Sequence, residues 1–78
     1  MKDNITEKFL QESGFQYDER DEQYRRHCYK YLFITVQNYS TDEYYVGLEL
    51  HGTTTSLSHI STKQQLKDLV KALSGEDI

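Results

Sequence analysis

The strongest constraint on this chain is a change of period along it: the middle alternates residue by residue, and the two ends do not. In "YRRHCYKYLFITVQNY" aromatic and β-branched residues follow one another without glycine or proline, which predicts a strand. Successive strand side chains point to opposite faces. Cys28, Leu32, Ile34 and Val36 therefore share one side, and Tyr29, Tyr31, Phe33, Thr35, Gln37 and Tyr39 share the other. "YYVGLELHG" repeats the pattern, with Tyr44, Val46, Leu48 and Leu50 set against Tyr45, Gly47, Glu49 and His51. The polar turn "STDE" separates the two runs, so their aliphatic sides are expected to meet in an antiparallel pair. Phe15 and Tyr17 form a brief strand ahead of the charged turn "DERDEQ". "TTTSLSHI" reads as a weaker edge strand, because Leu57 and Ile60 differ in parity.

Both ends read as helices. Asn4 or Thr6 can cap the first, Ile5, Phe9 and Leu10 lie on one side of it, and Gly14 stops it, with Phe15 placed to close the cap. In the last, Ser61 or Thr62 stands three residues before Gln64 or Gln65, the spacing of a capping box. Leu66, Leu69, Val70 and Leu73 recur at helical intervals opposite Lys63, Lys67, Asp68 and Lys71, and Gly75 ends the helix. A sheet with one aliphatic face needs a cover, and two amphipathic helices supply it. The expected fold is a single α+β domain over residues 1–78. Its order is α-β-β-β-β-α, an antiparallel meander with both helices packed on one face. Leu48 and Leu69 are the expected buried leucines, each costing about 2–5 kcal/mol on truncation to alanine.

Composition limits the chemistry. The chain has 78 residues, a single cysteine and a net charge of -4. One cysteine forms no intrachain disulfide, and the absence of a secreted scaffold's cysteine spacing points to a reducing compartment. No stretch reaches the roughly 18 apolar residues of a membrane span, and the acids in "MKDNITEKFLQESGF" do not fit an export signal, so a cytoplasmic protein is expected. His27 and Cys28 are neighbours in a strand and so point apart, which predicts a structural thiol rather than a nucleophile and its base. His27, His51 and His59 lie at no familiar metal spacing, and the four glycines are scattered rather than gathered in a phosphate loop. The acids of "DERDE" lack a calcium loop's ligand spacing. Neither an enzyme nor a cofactor or small-molecule substrate is expected.

What remains is surface. With helices on one side, the other carries Tyr29, Tyr31, Phe33 and Tyr39 from one strand and Tyr45 and His51 from its neighbour, a large aromatic area for so short a chain. Tyrosine is enriched at interfaces because its ring buries area while its hydroxyl tolerates water. The expected function is protein interaction through these six residues, either as a homodimer or with a foreign protein. The alternative is single-stranded nucleic acid bound by Arg25, Arg26 and Lys30 among nearby tyrosines, a mixture of charge and stacking that such ligands favour. The acidic balance of the whole chain argues against it.

Two segments, "ITEKFLQESGF" and "HISTKQQLKDLVKALSGED", resemble the opening and closing signatures of short α+β proteins encoded by gut bacteria and their phages or integrated elements. In those, a capped helix precedes a meander and an I-S-T-x-x-Q-L segment begins the final helix. The resemblance implies an accessory role with a host or phage protein as partner, and it carries over no catalytic residue.

Overall fold

The computed structural model describes residues 3–40 and 43–76, apart from the side chains of residues 39 and 40. The first helix, α1 (Glu7–Glu12), starts at Thr6, whose Oγ1 accepts the Phe9 amide at 3.2 Å. Its end is a Schellman cap: Gly14, at φ +87°, donates to the Gln11 carbonyl, and Phe15 donates to the Leu10 carbonyl at 3.0 Å. Phe15 is thereby turned into the core.

Five strands follow rather than four: β1 (Gln16–Asp18), β2 (Gln23–Tyr29), β3 (Leu32–Ser40), β4 (Glu43–Leu50) and β5 (Thr53–Ser56). They form one antiparallel sheet in sequence order. The extra strand arises because the long alternating run is not one strand. It reverses at Lys30 and Tyr31, so that Tyr29 pairs with Leu32. No glycine, proline or asparagine marks this turn. Lys30 itself takes φ +45°, and His27 braces the loop, its Nε2 donating to the Lys30 carbonyl at 2.6 Å.

Reading parity straight through that turn nevertheless gives the right faces up to Cys28, whereas Tyr29, expected on the face away from the helices, pairs with Leu32 of the helix side. A bulge between His27 and Tyr29 shifts the register by one, so even-numbered residues of β2 and β3 share a side. Tyr24, Arg26, Cys28, Leu32, Ile34 and Val36 lie toward the helices, continued by Tyr44, Val46 and Leu48 of β4. The polar turn expected at "STDE" falls partly on residues 41 and 42, which lie outside the described residues.

The last helix, α2 (Lys63–Ser74), starts with the expected capping box on Thr62 and Gln65 and ends at Gly75, φ +78°, whose amide bonds the Lys71 carbonyl. Both helices sit on the same aliphatic face. Ile5, Leu10, Phe15, Tyr24, Ile34, Val36, Val46, Leu66 and Val70 make one buried cluster. Leu48 and Leu69 are only half-buried at its margin, which corrects their expected place at its centre. Leu57 and Ile60 also reach it, but from a turn after β5 in which Ile60 donates to the Leu57 carbonyl. Their unequal parity reflects that turn.

The chain's start is tied to its end. Asn4 bridges Thr62, and the Asp3 carboxylate accepts the Gln64 amide at 3.0 Å, a placement that the dipole of α2 favours.

Candidate functional site

The face without helices carries Gln16 and Asp18 from β1, Gln23, Arg25 and His27 from β2, Phe33, Thr35 and Gln37 from β3, Tyr45, Gly47 and Glu49 from β4, and Thr54 and Ser56 from β5. Its centre is polar. Arg25 lies 4.3 Å over the Phe33 ring, pairs with Glu49 at 2.9 Å, and stands 3.9 Å from Asp18. Arg25 and Glu49 are both largely withdrawn from water, so each charge depends on the other. The Arg25 Nε is buried with no partner, held there because the guanidinium is spread over Phe33. His27 tilts against the same ring at 5.1 Å.

The six residues expected to make the aromatic surface divide into three places. Tyr29 ends β2, Tyr31 lies in the turn after it, and His51 lies in the β4–β5 turn with φ +52°. Tyr31 and His51 stack at 4.9 Å between ring centres, so neighbouring turns bring them together. Lys30 sits 5.4 Å over Tyr29. Phe33 occupies the centre beneath Arg25, and Tyr45 lies toward the opposite end, donating to Glu43 at 3.3 Å. The Tyr39 side chain lies outside the described residues. Tyr29, Tyr31 and Tyr45 are 60%, 64% and 47% exposed.

The basic strip is taken apart by the fold. Arg25 faces the open side, whereas Arg26 faces the helices, donating from Nε to the Ser13 carbonyl at 2.9 Å and pairing with Glu76 at 3.1 Å. Lys30 is in the turn. Tyr24, next to Arg25 in that strip, is a core residue. Glu49, which on sequence stands beside Tyr45 and His51, instead serves Arg25. The residues that sequence reasoning missed are Asp18 and Glu49 as partners of Arg25. The only signal was their acidity, since nothing in the spacing of residues 18, 25 and 49 announces that three strands will align them.

His27 and Cys28 face opposite sides, and the Cys28 thiol lies 3.6 Å from the Arg26 carbonyl. Burial pushes the Cys28 pKa up, only partly offset by the nearby Arg26 charge. Burial likewise raises the Tyr24 hydroxyl, with Glu7 beside it adding to the shift. Both groups hold their protons more tightly folded than unfolded. Their contribution to stability is therefore intact below their ordinary values, 9.0 and 10.0, and is lost as pH rises through the raised ones. Stability measured by urea unfolding is expected to fall above about pH 9, and Tyr24→Phe should flatten the part of that fall lying above about pH 10. Cys28 should also alkylate more slowly in the folded chain than in urea at equal pH.

An open groove of about 580 Å³ runs beside β1, bordered by Gln16, Asp18, Arg25, His27, Phe33 and Glu76. Among the described residues no group of three His, Cys, Asp or Glu is placed to hold a metal ion. No helix among them is long and apolar enough to cross a membrane. Comparison with protein families, with curated proteins and with solved structures finds no match to this chain.

Proposed function

We propose that this chain is a non-enzymatic protein-interaction module, and that its working surface is the uncovered sheet face together with the turn end formed by Tyr29, Tyr31 and His51. The observation that carries the reading is the exposure of three tyrosine rings on the parts of the sheet that neither helix covers. Ordinary monomers place their large apolar groups under cover, and tyrosine is favoured where a surface must be wet alone and dry in a complex.

The size of the face supports a modest contact. Five strands about 4.8 Å apart, the longer ones about 25 Å in length, offer roughly 500–600 Å² per copy, below the ~800 Å² per partner of a standard interface. The turn end adds to that area. The contact is thus of the transient kind, with a second copy or with a host or phage protein as the occupant, an accessory role of the sort the terminal segments imply. Arg25 is shared by Glu49 and the more distant Asp18, so the cation itself is not left to be desolvated unpaired.

The test uses Tyr31→Ser combined with Phe33→Ser. Light scattering and cross-linking are expected to find association by the wild-type chain that is weakened in the variant, whose circular dichroism is unchanged. Identical association by both chains removes self-association through the face from consideration. Binding to a single-stranded oligonucleotide that weakens steeply with salt and is lost in Arg25→Ala would put nucleic acid in its place.

A further inference from the structure

The two margins of the sheet are built differently. Both edge strands are short, so the difference lies in charge: at one margin β1 carries Asp18, with Glu19 following it. Beyond β1, Arg26 lies along the outer side of β2, its Nη1 donating to the His27 carbonyl at 3.3 Å. Short strands and charged side chains are the usual devices that keep an edge from pairing with another chain. The other margin has no such charge. All four residues of β5 are exposed, and from Leu50 to Thr62 there is no Asp, Glu, Lys or Arg, although these make up 28% of the chain. The comparable charge-free run, from Tyr31 to Thr41, covers β3, which is paired on both sides.

The directions of the β5 backbone groups follow from its pairing. Leu50 faces Thr53 across the two-residue turn, and the Leu57 amide donates to the Val46 carbonyl at 2.8 Å. Bonding alternates along an antiparallel strand, so Thr53, Thr55 and Leu57 address β4 while Thr54 and Ser56 aim their N–H and C=O groups outward. Side chains alternate as well. Thr55 lies on the helix side, away from the open face.

We propose that β5 pairs antiparallel with β5 of a second copy, about a two-fold axis that passes beside Thr55 perpendicular to the sheet. Thr54 of each copy then exchanges both backbone bonds with Ser56 of the other, and Thr55 faces Thr55. Centring the axis on Thr54 would draw Gly52 into the ladder, and its φ of +81° is not that of a strand. A second copy suits this margin because it is self-complementary. Its cross-strand pairs are threonine and serine, which are favourable neighbours, and it is a neutral strip through which two chains of net charge -4 approach without opposing charges at the contact. The axis keeps both open faces on the same side, so the ten-stranded product presents a doubled docking surface. The pairing stands apart from the reading of that face, and the two fail separately.

The experiment is sedimentation equilibrium up to about 1 mM, the range of weak complexes. The mass is expected to rise toward twice 9.3 kDa with concentration, and the Thr54 and Ser56 amides to exchange more slowly as it does. Thr55→Lys alone and Thr55→Glu alone should each weaken the dimer, up to about fivefold, through like charges placed opposite each other, while an equimolar mixture of the two should restore it. Thr54→Pro, which removes an outward amide and leaves the bonds to β4, should abolish it. A wild-type chain monomeric throughout, or a dimer indifferent to the Thr55 variants and to Thr54→Pro, overturns the proposal. So does a dimer lost in Tyr31→Ser, Phe33→Ser but kept in Thr54→Pro, which assigns the contact to the face.

Discussion

Ile34→Ala and Leu66→Ala are each expected to lower the unfolding free energy by about 2–5 kcal/mol, the range for emptying a fully buried aliphatic site. Both side chains are 0% exposed, and they come from opposite layers of the core, one from the central strand and one from the covering helix. A domain of this length has a total stability of roughly 4–12 kcal/mol, so either change removes a large share of it. Urea titration followed by circular dichroism measures the loss. Leu48→Ala and Leu69→Ala serve as the comparison, because both residues are half-buried at the edge of the cluster and should lose about 1–2 kcal/mol. Equal losses at all four positions would mean that the buried cluster does not hold the domain together in the way its packing indicates.

Gly47→Val should destabilise the sheet by about 1–3 kcal/mol even though valine is the better strand former. A Cβ at Gly47 would stand 2.9 Å from Thr35 Oγ1, 3.0 Å from Thr54 Cγ2 and 3.3 Å from the Thr55 carbonyl oxygen. The last of these is backbone, so side-chain rotation alone does not make room. Glycine is required here by the approach of neighbours rather than by a left-handed backbone, since Gly47 is not among the glycines with positive φ. Gly47→Ala should cost less than Gly47→Val, and adding Thr35→Ala to Gly47→Ala should recover part of the loss. A double-mutant cycle read as shifts in Tm tests this, and simple additivity of the two changes would show that the Thr35 hydroxyl is not the obstacle. A shallow depression of about 390 Å³ lies over Gly47 on the open face, edged by Gln37, Tyr45 and Thr54.

Much of this architecture is legible in residue order because the signals are local. The stop at Gly14, the capping box at Thr62 and the heptad-like spacing of Leu66, Leu69, Val70 and Leu73 each depend on residues within a turn or two of one another. The alternation in β3 and β4 is likewise a property of the strand itself. The turn at Lys30 and Tyr31 is not legible, because a lysine with positive φ gives no compositional sign and its support, the His27 ring, becomes a support only after the chain has reversed. Read as one strand, the run predicts one aromatic patch along its length. With the turn in place, Tyr29, Tyr31 and His51 gather at one end, Phe33 lies under a guanidinium, and Tyr45 is left at the other.

By itself the amino-acid order determined the type of most elements and the side of β3 and β4 on which the aliphatic residues gather, since periodicity, caps and propensity act over a few residues and need no partner from elsewhere. Only the tertiary structure decided the fate of the charges. Arg25 and Arg26 are adjacent in the chain and are sent to opposite layers, one to carboxylates from β1 and β4, the other to the Ser13 carbonyl and Glu76. The reason is geometric: strand alternation separates neighbours, and the identity of a charge's partner depends on strand register, which is fixed when distant segments are brought side by side.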